Sequence, residues 1–218
     1  MCETMFDSLF DHSNEDQELI AFIERNEERL RELFRNKLIT LEKTLEVIAA
    51  GLKEAKKQKL HNIELIWNAA GYVNTCSFDL AVTGEALMFE RDAWKRRYYS
   101  RMAAVNIYEA SLDLLKITGK EFRSEICGLP GGSGFVEELG NKLKKVNKFR
   151  ANNSAWLKDV RVCCAAHRDN NLSEQLRVVF EISPTKVLKV MAEFDALLNE
   201  LGPIFQKGMN LLPAKIHT

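Results

Sequence analysis

A chain of 218 residues suits one domain, or one domain with an appendage. It is 46% hydrophobic and 28% charged, and Lys+Arg and Asp+Glu both total 31, so the zero formal net charge argues against coating DNA through a general basic excess. No run of about 18 apolar residues predicts a membrane span. The acidic opening MCETMFDSLFDHS lacks a secretory leader's basic and apolar regions, and five cysteines without a CxxC pair fit a reducing cytoplasm better than a disulfide or zinc framework.

In chain order the reading is all helix. Ser13 followed by Asp16 resembles a reciprocally capped helix start. Leu19, Phe22, Ile23, Leu30, Leu33, Phe34 and onward to Ile48 recur at three-to-four spacing, which predicts a long amphipathic helix jointed near Asn26 or Asn36. KEAKKQK, Lys53 to Lys59, reads as its solvated end. A second helix is expected from Asn62 to Glu90, with Gly71 and Gly84 inside it, and a third from Arg91 to Ile117 with Gly119 as its stop. ICGLPGGSG, Ile126 to Gly134, is the strongest break. A fourth helix follows from Phe135 to Arg150, and Asn152–Asn153 is expected to separate it from another, Ser154 to Asp169. LRVVFEIS, Leu176 to Ser183, is rich in β-branched residues and predicts a short extended connection. Ser183–Pro184 then caps a last helix that Gly202–Pro203 is expected to end or kink. The organisation expected is an acidic N-terminal segment with a long helix over 1–61, then a helical bundle over 62–218.

The chemistry concentrates in SAWLKDVRVCCAAHRD, Ser154 to Asp169. Histidine exchanges a proton near neutral pH, and arginine offers phosphate a planar fork of donors. On a helical wheel Trp156, Val160, Cys163 and His167 share one stripe, and Arg161 and Arg168 lie together on its shoulder. Arg161 and His167 are then about 9 Å apart along the axis and about 120° apart in projection. Two such helices meeting at a twofold axis would bring two arginines and two histidines into one cleft able to hold an RNA phosphate. An ordinary role for each residue stands beside this one: a core histidine with a local hydrogen bond, surface arginines, and small buried cysteines. Just upstream, NKLKKVNKFR contains no acid, and Lys144, Lys145, Lys148 and Arg150 with Arg168 make a candidate phosphate- or RNA-binding rim. In RDAWKRRYYSR, Arg91 to Arg101, Trp94, Tyr98 and Tyr99 are candidates for base stacking or for packing.

RVCCAAH resembles the R-x(4–6)-H motif of the HEPN superfamily, and its continuation HRD on a late bundle helix is similar to many members. RDAWKRRYYSRMAAVNIYEASLDLL is similar to an earlier helix of the abortive-infection-type proteins of that superfamily. The resemblance spans roughly Asn62 to Leu201. It implies an all-α, antiparallel HEPN-like bundle, a homodimer, and in active members a metal-independent endoribonuclease whose catalytic pair here is Arg161 and His167. An RNA or nucleotide ligand and a protein antidote are the partners it suggests, in defence or stress. Active members usually carry a polar residue, often Asn, Asp or His, directly after the arginine, where this chain has Val162. That departure points to the alternative, a non-catalytic interaction or nucleotide-binding module.

Other signals fall away on their spacing. HRD has no glycine-rich loop or DFG to make a kinase. CGLPGGSGF lacks the GK[ST] ending of a phosphate loop. His61 and His167 have no ligand spacing around them, so neither metal nor cofactor is expected.

Overall fold

The computed structural model describes residues 14–163 and 172–211. These residues form eight helices and no strand: α1 (Asn14–Arg25), α2 (Glu27–Lys57), α3 (His61–Phe89), α4 (Ala93–Ile117), α5 (Lys120–Cys127), α6 (Gly132–Arg161), α7 (Leu172–Glu181) and α8 (Pro184–Met209). No helix among them is long and apolar enough to cross a membrane.

The joint in the first amphipathic run falls at Asn26. Its backbone leaves the helical region (φ −120, ψ 15), and its side-chain amide donates to the Phe22 carbonyl at 2.8 Å. The run ends at Lys59, which turns the chain with φ 58. Helices α3 and α4 are distinct, because Asp92 accepts the Lys95 N–H at 2.9 Å and caps a new helix. Thr118 closes α4 by donating its hydroxyl to the Leu114 carbonyl at 2.6 Å, and Gly119 follows as expected.

Helix α3 lies at the centre and packs against α2, α4, α5 and α8. Its two interior glycines do not interrupt it. A Cβ at Gly71 would come within 3.2 Å of Ile48 on α2, and one at Gly84 within 2.8 Å of Met191 on α8, so their smallness lets neighbouring helices approach. Ile63, Ile66 and Leu87 of α3 are fully buried with Ile107 of α4 and with Phe194 and Phe205 of α8. Ile48 and Ala55 bring α2 into the same core, so the Lys53–Lys59 stretch is solvated on one side only.

Two expectations fail outright, and at Pro203 the expected helix end is absent, each because burial outweighs a local preference. Helix α6 runs unbroken through Asn152–Asn153. Asn153 donates its amide to the Phe149 carbonyl at 3.1 Å and accepts from the Trp156 indole N–H at 3.2 Å, while Phe149, Leu157 and Val160 keep that stretch on the core. Leu176 to Glu181 is helical rather than extended. Val178 and Val179 are buried together, and Arg177 meets Glu174 and Glu181 at helical spacing. Pro203 sits inside α8, which continues to Met209. The roughly 3 kcal/mol that an interior proline costs is offset by burying Leu201, Ile204 and Phe205, worth about 1.5–3 kcal/mol each. The break after α5 also narrows to Gly128–Gly131, where Gly131 adopts φ 76.

Gly132 and Gly140 therefore answer oppositely to alanine. A Cβ on Gly132 would sit 1.8 Å from the Ile126 carbonyl oxygen, whereas one on Gly140 meets nothing within 4 Å. Gly132→Ala is expected to destabilise by about 3 kcal/mol, and Gly140→Ala to stabilise by about 0.5–1 kcal/mol. Urea unfolding midpoints of the two variants test this, and equal shifts would contradict the packing at the α5–α6 turn.

Candidate functional site

Arg161 is the last residue of α6. Its Nε donates to Glu109 Oε1 of α4 at 2.5 Å, and its guanidinium carbon lies 5.9 Å from the centre of the Tyr108 ring. The side chain is 35% exposed. Neither terminal nitrogen has a partner among the described residues. The side chain is steered by one carboxylate through Nε, and the paired terminal N–H groups are the ones that grip phosphate.

The expected stripe faces inward as far as it can be followed. Val160 and Cys163 are buried, and Trp156 is half-buried. Cys163 donates its thiol to Asp159 at 3.6 Å. At Val162 and Cys163 the helix widens into a π turn. His167 and Arg168 lie outside the described residues.

The basic rim is not brought up to Arg161. Because α6 is continuous, a rise of 1.5 Å per residue leaves Arg150 about 17 Å and Lys144 about 26 Å away along the axis. Lys145 and Lys142 instead converge on Glu200 of α8 at 2.8 and 2.7 Å, and Lys144 donates to Asn141 at 3.0 Å. Lys148 is exposed without an ion-pair partner among the described residues, and the Nε of Arg150 is buried without one.

On the other side of α6 a cleft of about 180 Å³ opens toward α7 and α8, lined by Trp156, Asp159, Val178, Arg177, Ser183 and Lys186 among others. Asp159 and Arg161 leave the helix about 200° apart, so this cleft and the arginine face opposite ways. Its charges are internally matched. Arg177 is held toward its protonated form by hydrogen bonds to Glu174, Asp159 and Glu181, and the Lys186 ammonium lies 4.8 Å from the centre of the Trp156 ring.

Thiol chemistry has no support in α3, where burial pushes the Cys76 thiol up to about 11 and keeps it protonated at neutral pH. Among the described residues no three histidine, cysteine, aspartate or glutamate side chains converge enough to hold a metal ion. Glu109 and Tyr108 are the site residues that sequence reasoning missed. They stand 52 and 53 positions before Arg161, and no local pattern marks them as its neighbours.

No family model matches the chain, and no curated protein or solved structure matches it.

The lysine pair on Glu200 gives a pH signature. Hydrogen bonds from Lys142 and Lys145 lower its carboxyl from 4.5 to about 2. A depressed carboxyl pKa stabilises the fold above the unfolded value and loses that effect as pH falls through the folded one. The difference in melting temperature between wild type and Glu200→Gln is therefore expected to be largest above pH 4.5 and to shrink toward pH 2. A difference that stays constant across that window would show the α6–α8 clamp to be absent.

Proposed function

We propose that this chain is a HEPN-like antiparallel bundle that acts on RNA as a homodimer, as a metal-independent endoribonuclease or RNA-binding protein in defence or stress. The observation that carries this reading is Arg161: partly exposed, fixed through Nε by Glu109, its terminal N–H groups without a partner among the described residues. In this reading His167 takes the proton from a ribose 2′-OH as that oxygen attacks the adjacent phosphorus. The 5′-oxygen leaves and is protonated, giving a 2′,3′-cyclic phosphate and a 5′-hydroxyl end. Arg161 stabilises the charge that grows on the phosphate oxygens. The dimer draws support from apolar residues in and after the motif, since Val162 within it and Leu172 and Leu176 beyond it are exposed.

A specific observation favours the second reading, an interaction or nucleotide-binding module without catalysis. Val162 is 41% exposed at the position where active members of the resembled family carry a polar residue, so no hydrogen bond from that side chain assists the arginine.

Incubating purified chain with single-stranded RNA in excess EDTA separates the two. The nuclease reading expects cleavage with cyclic-phosphate ends, reduced about 10²–10⁴-fold by His167→Ala and about 10²–10³-fold by Arg161→Ala. Uncut RNA with the wild type, alongside an intact dimer, would overturn it in favour of the interaction module.

A further inference from the structure

We infer that the outer face of α4 around Trp94 and Tyr98 is a stacking platform for the bases of single-stranded RNA. The inference rests on the reading that the Arg161 site handles RNA, and it adds where the strand lies. Trp94 and Tyr98 are 53% and 51% exposed, large values for aromatic residues on a packed helix. Four residues apart, they are separated by about 6 Å along the axis and about 40° around it, so two neighbouring rings face the same way. The Trp94 indole is braced rather than loose. Phe180 of α7 meets it edge-on, with centroids 5.5 Å apart and planes at 68°.

The same face leads to the arginine. Trp94, Tyr98, Met102 and Glu109 fall within about 80° of one another around α4, and Glu109 is the residue that holds Arg161. The strip from Trp94 to Glu109 is about 22 Å long. Cations border it on both sides. Lys95 lies about 20° beyond one edge and Arg101 about 20° beyond the other. The Arg101 guanidinium is 5.9 Å from the Tyr98 ring centre, and that of Arg97 is 5.6 Å from the Trp94 ring centre. Lys95 is well exposed, with Glu90 3.9 Å away.

This alternation decides the occupant. Protein–protein interfaces enrich aromatic residues and arginine but deplete lysine, whereas here the 66% exposed Lys95 borders the strip, with the Arg101 guanidinium beside Tyr98 and Arg97, 7% exposed, packed beside Trp94. Rings for bases and flanking cations for phosphates are the recurrent composition of sequence-tolerant single-strand sites.

The test uses the full chain carrying His167→Ala, so that cleavage does not consume the probe, and a fluorescently labelled single-stranded oligouridylate read by anisotropy. Trp94→Ala and Tyr98→Ala are each expected to weaken binding about 5- to 100-fold. Trp94→Phe and Tyr98→Phe, which keep a π face, are expected to restore most of it. Lys95→Ala and Arg101→Ala are each expected to lower the slope of log affinity against log salt by about 0.7. Equal binding by parent and alanine variants would overturn the platform while leaving the RNA reading standing. A parent that binds no RNA would overturn both. Conversion of a dimer to a monomer by Trp94→Ala/Tyr98→Ala would show this face to be a seam between copies and overturn the platform in favour of that occupant.

Discussion

Arg161 meets Glu109 because α6 is one unbroken helix, thirty residues long, laid against α4 and α8. The ion pair does not hold that arrangement together. A pair this exposed is worth about 0–1 kcal/mol. The arrangement comes from one apolar edge of α6, in which Leu139, Leu143, Val146, Phe149, Leu157 and Val160 are all buried. Six such side chains, at about 1.5–3 kcal/mol each, far exceed any surface electrostatic contribution. The core fixes the direction of the helix end, and the carboxylate then selects one orientation of a side chain already delivered to the right place.

The same ordering governs the other charges. Lys37 reaches Asp195 across α2 and α8 at 2.5 Å, Lys142 and Lys145 share Glu200, and Lys207 meets Glu138 at 2.8 Å. Each links helices that the core has already placed. A segment such as NKLKKVNKFR, which contains no acid, therefore does not present a uniformly basic surface. A single acid on α8, Glu200, 58 and 55 residues later in the chain, answers two of its lysines.

Helix boundaries were legible wherever a local interaction sets them. Ser183 accepting the Lys186 N–H with Pro184 next, the stop at Gly119 and the joint at Asn26 are all decided within a few residues. The failures share an origin in distant contacts. Asn152–Asn153, the β-branched run of α7 and Pro203 all carry local preferences against helix, and in each case side chains from other elements reverse the outcome by burying the adjacent apolar residues. For the site, Arg161 was legible as a residue type at a motif spacing, but its partner was not. Glu109 sits in a helix whose outward face could be read, yet the pairing across 52 residues follows from how α4 and α6 pack, which periodicity does not encode.

The π turn at Val162 and Cys163 joins these themes. Such turns are rare and are frequent at functional sites. It begins where the buried edge of α6 ends, with Cys163 still inside and Val162 already 41% exposed. The arginine is tied to α4 at the point where that buried edge ends, so packing delivers the end of α6 and Glu109 then orients Arg161.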